Sequence, residues 1–497
     1  MNNIGKILLG VLILISVIIY YNISISTFDS FLFDISAIVL LISLAIFVLF
    51  CRQSQVAGCW LKPSNLFIIG YLAVNIQYLL DYRLGLKDNS STLITYPETL
   101  NYCIVIGVAG FLAFVLGYIW KRERNNMNIS SNTVQEDCKI PTILIVLHFI
   151  LFCLFVLTIN VSDFMLGSAY VDEAKRGPYE SLFYLVTMVL VLYISRQKTK
   201  KDSLIAYIKV FPKLSIALIA LYMTLRMFSG DRGPMIYTGL LLIYGYISAT
   251  KKKWRLSLVM TFLISASLFV SLVGMARLGN LNDSFFDRIV NSYNAYTTSG
   301  RFGDSGEQSV LSATEELGFS FMVNQDDVKA IEQEGESFHY GMYQVYSLLV
   351  AIPYMPSFLA ETLKIPEENL SSVGFANKHH FGDAESTWSI GTTLVADFYL
   401  EFGIFGVILG LFICGRFFRF IDYSIFVIPS NRINIYLLYV ALHFASQAIY
   451  IPRSVLLLNL QKVLLGFVII YILNKTTFVK INCNEKEKKD CLLYGYT

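Results

Sequence analysis

The segment KLSIALIALYMTLRMFSGDRGPMIYTGLLLIYGYIS, residues 213–248, decides the fold of this chain, because two apolar runs flank the short polar sequence SGDRGP. Each run is long enough to cross a hydrocarbon layer of about 30 Å as a helix. Composition extends this prediction to the whole chain, since 55% of its residues are hydrophobic and 15% are charged, whereas soluble domains carry about 25% charged residues. The sequence therefore predicts an all-α integral membrane protein.

Apolar runs of spanning length recur along the chain, and they predict about 12 transmembrane helices. We interpret the first run as a retained anchor and not as a cleaved signal. It is weakly flanked, with one lysine near its start, no small-residue cleavage site follows Tyr20 and Tyr21, and another span begins close behind. The predicted spans are 4–22, 31–50, 65–81, 100–119, 141–160, 180–195, 213–229, 234–249, 256–275, 388–413, 434–451 and 454–473.

The basic residues predict the orientation of these spans. If the N-terminus is cytoplasmic, most lysines and arginines fall in cytoplasmic segments, as the positive-inside rule requires. A further apolar stretch, 342–360, would place the lysine-rich tail outside if it crossed. We therefore interpret it as a re-entrant or interfacial segment, broken by Pro353 and Pro356. All eight cysteines then lie in spans or cytoplasmic segments, so no disulfide framework is expected.

This topology divides the chain into four parts. One of the parts is a long extracytoplasmic loop. Loops of this length are usually functional or disordered, and the aromatic and glycine content of this one favours order. The parts are helices 1 to 9 at 1–275, a large extracytoplasmic loop at 276–387, helices 10 to 12 at 388–473, and a cytoplasmic tail at 474–497.

Several features together resemble the Wzy-type O-antigen polymerases. They are the predicted spans with both termini inside, one large outer loop before the tenth span, SGDRGP opening a helix, and FYLEFGIFGVILG, residues 398–410, in a late span. The resemblance implies a polytopic, GT-C-like glycosyltransferase of the bacterial inner membrane with a periplasmic loop. It implies polymerisation of lipid-linked oligosaccharide repeat units into O-antigen or a related surface polysaccharide, with undecaprenyl pyrophosphate as the carrier. A chain-length regulator protein is a further implied partner, whereas no nucleotide sugar, cofactor or nucleic acid is expected.

Arginine outnumbers lysine in the outer segments, and lysine outnumbers arginine in the cytoplasmic ones. The planar arginine fork binds phosphate oxygens through two hydrogen bonds, so this inversion predicts a pyrophosphate site. The alternative for each arginine is snorkelling to lipid head groups. Arg232 is the first candidate. Gly230 and Gly233 permit close backbone approach, and Pro234 suits the first turn of a helix, whose N-terminus favours anions. The alternative is that SGDRGP is only a tight turn between two helices. The other candidates are Arg226, Arg277, Arg453 and Arg176, the last with a local salt bridge as the alternative.

Glycosyl transfer also needs a base that takes the proton from the attacking sugar hydroxyl. The polar string NKHHFGDAEST lies just before the tenth span. We predict that one of its histidines is the base, oriented by a carboxylate, or that a carboxylate is the base itself. The alternative is a surface loop with incidental histidines, and the spacing matches no recognised metal-ligand pattern, so a metal-independent enzyme is expected. The candidate catalytic residues are His379, His380, Asp383, Glu385 and Asp231.

Charged residues also occur inside the predicted spans. Asp397 and Glu401 lie one turn apart in the tenth span, at a depth similar to that of Lys462 in the twelfth. Unpaired charges at this depth are costly, so we predict a buried ion pair, either as a structural lock or as part of a proton or substrate pathway. Solvated helix faces are predicted at Glu315 and Glu316, at Asp326 and Asp327, and at 332–336.

Two rival functions remain open at this point. One is a ligase that transfers glycan from the same donor to lipid A core, and the other is a polysaccharide flippase or exporter without catalysis. A flippase would be expected to show inverted repeats and cationic residues along a central path. Here the cations gather at one face, beneath a large loop, and no Walker, Rossmann or nucleotide-sugar motif is present in the sequence. We therefore favour the polymerase.

Overall fold

The computed structural model describes residues 2–24, 27–86, 94–120, 140–159, 178–197, 203–229, 232–261, 264–265, 287, 290–291, 294, 315–350, 352, 355–362, 364, 370–382 and 389–475. Within these ranges the regular elements are helices, which confirms the predicted all-α class. They are α1 (Asn2–Asn22), α2 (Ser30–Gln53), α3 (Pro63–Asn75), α4 (Gln77–Arg83), α5 (Leu100–Ile119), α6 (Thr142–Thr158), α7 (Tyr179–Arg196), α8 (Leu204–Ile208), α9 (Lys213–Phe228), α10 (Arg232–Thr250), α11 (Glu315–Gly318), α12 (Phe321–Glu332), α13 (Met342–Val350), α14 (Met355–Thr362), α15 (Ser372–Phe381), α16 (Leu394–Phe426), α17 (Ile435–Ser446) and α18 (460–475), with 3-10 turns at Pro97–Thr99, Ile451–Arg453 and Leu456–Asn459.

The helices make this a multi-pass membrane protein. In the described part of the chain, five of them are long and apolar enough to cross a membrane: α1, α2, α5, α7 and α16. The pair α3 and α4, bent by 45°, adds a sixth if it counts as one span, and α6 and α17 are shorter apolar helices. Every predicted span contains a described helix, but only 256–261 and 264–265 are described in the ninth. The count of twelve therefore stays a prediction.

α5 and α16 form the most extensive helix contact among the described residues. Glycines allow their backbones to approach: an added Cβ at Gly117 would clash with the carbonyl oxygen of Phe412, and one at Gly415 with that of Phe114. Such pairs of small residues are typical of close helix packing in membranes. Phe67 of α3 stacks on Phe114 with 4.4 Å between ring centroids, which extends the packed core to a third helix.

α16 is broken inside the sequence that was predicted to be one continuous tenth span. Gly403 adopts φ +60°, in the left-handed region that glycine tolerates. Next to this break, the carbonyl oxygens of Leu400 and Glu401 accept hydrogen bonds from the backbone N–H groups of His339 and Tyr340, at 2.9 and 3.0 Å. The segment before α13 is thereby tied to the broken helix, and carbonyl groups near the break are satisfied.

The apolar stretch 342–360 holds two short helices, α13 with nine residues and the start of α14 with eight. A nine-residue helix is about 13 Å long, so neither helix crosses a hydrocarbon layer of about 30 Å alone. α13 packs against the 3-10 turn Leu456–Asn459. Two short helices are compatible with a re-entrant or interfacial element here. The division of the chain into membrane and loop parts stays a prediction.

Candidate active site

α12 packs against α5, α15 and α16, and most of its residues are buried. Polar side chains fix its position. The Asn324 amide donates to Asn75 Oδ1 at 3.0 Å and accepts from the hydroxyl of Thr393, which also caps the start of α16. Gln325 accepts a 3.1 Å hydrogen bond from the backbone N–H of Tyr96. α12 is therefore an internal helix at the N-terminal end of α16, held by amide and hydroxyl groups.

Asp326 and Asp327 lie on this internal helix, so their prediction as a solvated face is wrong. Both residues are buried, and the side chain of Asp326 has no exposed surface. Oδ2 of Asp326 lies 3.0 Å from Nδ1 of His380. The acid that orients a predicted catalytic histidine thus comes from α12, at a position that was predicted to lie on the surface.

The two predicted histidines occupy the last turn of α15 and not a polar loop. The helix continues through Phe381 and ends at Gly382, whose φ is +61°. Nδ1 of His379 lies 3.3 Å from Oε2 of Glu334, and the other oxygen of this carboxylate lies 3.2 Å from Lys329 Nζ. Consecutive histidines therefore face two carboxylates, one buried and one exposed.

Asp327 is the most isolated of the buried acids. Neither of its oxygens, nor Oδ1 of Asp326, accepts a hydrogen bond from any residue that the structure describes. Burial raises the pKa of Asp327 well above its ordinary value, with repulsion from Asp326 and Asp397 adding to it. Burial also raises the pKa of Asp326, while His380 opposes that effect. Asp327 therefore favours its neutral acid form beside an Asp326 that His380 stabilises as a carboxylate.

A third histidine, His339, for which no role was predicted, joins the group. Its Nε2 lies 3.1 Å from the Tyr343 hydroxyl. The ring of Phe375 contacts the rings of both His339 and His379, at centroid distances of 5.3 and 4.2 Å. Burial lowers the pKa of His339, which favours its neutral form. The histidines of the predicted large loop are thus gathered around α15.

Asp397 and Glu401 do not pair with Lys462, so the predicted ion pair is not formed among the described residues. Asp397 accepts from the hydroxyl of Ser372 at 2.6 Å and from the amide of Gln344 at 2.8 Å. The carboxylate of Glu401 accepts from backbone N–H groups at the start of α13, including that of Gln344 at 3.0 Å. Both acids are satisfied by neutral donors, and together they join α13, α15 and the first half of α16.

Glu332, at the end of α12, was predicted only as part of a solvated helix face. Its Oε1 accepts hydrogen bonds from the hydroxyls of Tyr20 and Tyr399, and these two hydroxyls lie 3.0 Å apart. The three residues come from α1, α12 and α16. Paired tyrosines at a predicted helix end were the available signal, but nothing in their spacing identified the carboxylate that they bind.

Arg226, predicted to bind pyrophosphate, is already bound. Its side chain is 2% exposed and forms a salt bridge with Glu180 at the start of α7, with 2.7 Å between Nε and Oε1. The hydroxyl of Tyr222, one turn earlier on α9, donates to the same oxygen at 2.8 Å. In this arrangement Arg226 holds α9 to α7, and phosphate binding would require the ion pair to open.

α10 begins at Arg232, as SGDRGP predicted. The ring of Tyr237, on α10, packs edge-to-face against that of Tyr450, with 5.0 Å between centroids. Tyr450 immediately precedes the 3-10 turn that ends at Arg453, so the start of α10 and Arg453 belong to the same region of the bundle. The side chain of Arg232 is outside the described part of the chain, as are the candidate residues Asp231, Arg176, Arg277, Asp383 and Glu385.

The geometry offers two neighbouring histidine–carboxylate pairs, Asp326 with His380 and Glu334 with His379. In each pair the carboxylate faces Nδ1, so it fixes the orientation of the imidazole ring and stabilises the ring when it takes up a proton. Within the described ranges, no group of three His, Cys, Asp or Glu side chains is arranged to hold a metal ion. The arrangement suits acid–base chemistry on a hydroxyl group.

Comparison with known proteins agrees with the resemblance drawn from the sequence. The family model described as O-antigen polysaccharide polymerase Wzy matches residues 6–481, nearly the whole chain. Neither the curated proteins nor the solved structures yield a match. Since the match runs through the multi-pass helical bundle and all the acid–histidine pairs described above, the chain belongs to the O-antigen polysaccharide polymerase Wzy family.

Proposed function

We propose that this protein polymerises oligosaccharide repeat units carried on undecaprenyl pyrophosphate into O-antigen or a related surface polysaccharide. The proposed site of the reaction is the periplasmic face of the bacterial inner membrane. The observation that carries the proposal is the Asp326–His380 pair, because a histidine held by a fully buried carboxylate is suited to take a proton from a sugar hydroxyl. A chain-length regulator protein is a proposed partner, on the strength of the family alone.

In the proposed reaction, a terminal hydroxyl of the incoming repeat unit attacks the anomeric carbon of the growing glycan. The new bond joins the hydroxyl oxygen to that carbon, and the bond between the carbon and the pyrophosphate oxygen breaks. The hydroxyl proton passes to the imidazole of His380. Asp326, which lies against Nδ1 of that ring, stabilises the imidazolium that forms. His379, held by Glu334, is the second candidate for the same role.

The leaving group is a lipid pyrophosphate, and its charge needs compensation. We assign this task to arginines, without a metal ion, because the guanidinium fork matches two phosphate oxygens. Arg232 at the start of α10 and Arg453 in the adjoining region are the best-placed candidates. Arg277 and Arg176 remain candidates from the sequence. Arg226 is the weakest of the set, since Glu180 already neutralises it.

The groups that contact the two ends of α16 support a periplasmic site. Nζ of Lys251 donates a 2.7 Å hydrogen bond to the carbonyl oxygen of Ile425, near the C-terminal end of α16. Lys251 opens the run of three lysines that the positive-inside rule places in the cytoplasm. Thr393 and α12 lie at the N-terminal end of the same helix. A helix that crosses the membrane would then hold the acid–histidine pairs on the opposite face.

Cysteine labelling tests this placement. In a background without the native cysteines, single cysteines at Ser337 and Ser371 should both react with an impermeant reagent added to the periplasm, because neither α13 nor α14 is expected to cross between them. A cysteine at Lys252 should react only after the membrane is opened. Reaction of just one of the two loop positions would overturn the proposed topology.

Deletion of the gene tests the function itself. We expect surface glycan to lose its ladder of lengths on a gel, while a single repeat unit remains attached to lipid A core. Restoring the gene in trans should restore the ladder. Complete loss of attached glycan would indicate the ligase or the flippase instead.

A further inference from the structure

Glu332 is a carboxylate fixed on one side only. Both tyrosine hydroxyls that bind it, from Tyr20 and Tyr399, donate to Oε1. Its Oε2 accepts no hydrogen bond from any residue within the described ranges, and the residue is only half-buried. A positioned carboxylate with an unused acceptor atom can bind a donor that comes from outside the protein.

Exposed aromatic rings lie on the segments that adjoin Tyr399, one of the two tyrosines that bind this carboxylate: Phe402 follows Tyr399 by three residues, and the Tyr399 ring contacts that of Phe338, two residues before Tyr340. The ring of Tyr340 is 69% exposed and contacts that of Phe402, which is 48% exposed, with 6.1 Å between centroids. On the other side, Tyr21 is exposed beside Tyr20, the residue that binds Glu332. Tyr340 has φ +52°, a backbone conformation that bulky residues rarely adopt. Tyr340 therefore combines an exposed ring with a strained backbone, and such strain is concentrated at functional sites.

The charge beside these rings decides between two occupants. The turn at 332–336, with the sequence EQEGE, carries three glutamates, and its residues after Glu332 are exposed. Exposed aromatic rings also occur in the belts that proteins place at the membrane interface. The glutamates argue against that alternative here, because they would repel anionic lipid head groups. Sugars fit better, because their hydroxyls are neutral donors for a carboxylate and their C–H faces pack on aromatic rings.

We propose that Glu332, Tyr340 and Phe402 form a glycan-binding subsite that holds sugar residues of the substrate or product outside the reaction centre. Glu332 is two residues from Glu334, which holds His379, so a glycan bound there adjoins the proposed base. The subsite rests on the proposed function for its role, since holding the growing chain would favour repeated transfer to it.

Binding of glycan to the full-length protein in phosphatidylcholine nanodiscs tests the subsite. The probe is lipid-free surface polysaccharide, released by mild acid from cells that make it. Glu332→Gln should weaken binding about tenfold, because a hydrogen bond to a charged acceptor is lost. Tyr340→Asn, which removes the ring with a residue that tolerates positive φ, should weaken it about threefold or more. Phe31→Ala, at a ring 70% exposed on α2, is the matched control and should bind normally.

A second variant guards against misfolding. Tyr20→Phe removes one hydroxyl that orients Glu332 and keeps the ring packing, so it should weaken binding by a smaller factor without loss of folded protein. Normal binding by Glu332→Gln and Tyr340→Asn would overturn the subsite. The fluorescence of a Tyr340→Trp variant gives a second way to overturn it. If brominated lipid quenches that fluorescence and polysaccharide does not change it, the ring lies in the membrane and not in a glycan-binding subsite. No lipid-linked donor is present, so these outcomes are independent of the gene-deletion result that tests the polymerase.

Discussion

Nδ1 of His380 lies 3.0 Å from Oδ2 of Asp326, although 54 residues separate the two in sequence. The carboxylate is completely buried and the imidazole is 16% exposed, so the pair has a protected side and an accessible one. Burial of a charged acid is tolerated where a hydrogen-bonded partner offsets the lost hydration. The pair thus combines a fixed ring orientation with access for a substrate, which is what a general base requires.

The first prediction concerns this pair. His380→Ala should lower polymer formation about 10²- to 10⁴-fold in a purified system with lipid-linked repeat units, while donor binding stays nearly unchanged, because a base acts on the transition state. Asp326→Asn should lower the rate by a similar factor, because the amide no longer stabilises the imidazolium. Asp34→Asn, at an exposed carboxylate bound to Arg83, is the control. Full activity in a His379, His380 double alanine variant would shift the base to a carboxylate.

Asp327 provides a prediction about pH and stability. Burial raises its pKa, so the folded protein keeps a proton that the unfolded chain releases above the ordinary value of 3.8. The free energy of unfolding should therefore fall as pH rises from that value towards the raised pKa, by up to about 1.4 kcal/mol per pH unit from this group. The asparagine of Asp327→Asn cannot ionise. The melting temperature of this variant, relative to that of the natural protein, should therefore increase as pH rises. Parallel pH curves for the two proteins would mean that Asp327 is ionised when folded.

The sequence predicted the apolar helices well and the buried polar ones poorly. The start of α10 at Arg232 follows from local chemistry, because Gly, Asp and Pro act on the backbone beside them. The burial of α12 was missed because it comes from α5, α15 and α16, which are distant in sequence. An isolated segment with Asp326 and Asp327 has the pattern of a solvated face. The break at Gly403 was hidden for a related reason, since an apolar run looks the same whether or not it is continuous.

Glycine packing gives a prediction about folding. Gly415→Ala places a methyl group against the carbonyl oxygen of Phe114, on a neighbouring backbone that cannot rotate away. We expect a loss of about 1–3 kcal/mol in stability, seen as a lower melting temperature in detergent. Gly10→Ala, in α1, meets nothing within 4 Å and should be neutral or slightly stabilising. Equal behaviour of the two variants would contradict the close approach of α5 and α16.

The last prediction separates two arginines that the sequence placed in one group. Arg232 begins a helix, where free backbone N–H groups and a guanidinium would share a phosphate. Arg232→Lys should therefore lose most polymer although the charge is kept, and Arg232→Ala nearly all of it, while both proteins insert normally.

Arg226 instead neutralises Glu180. Arg226→Ala leaves that acid without its buried partner, so we expect less folded protein and not a selective loss of donor binding. Restoring stability by combining Arg226→Met with Glu180→Gln, followed by gel analysis of the glycan ladder, distinguishes the roles. A normal glycan ladder in that double variant would show that Arg226 has a structural role, in which it joins α7 to α9. Its absence in a well-folded double variant would return Arg226 to the phosphate site beside Arg232.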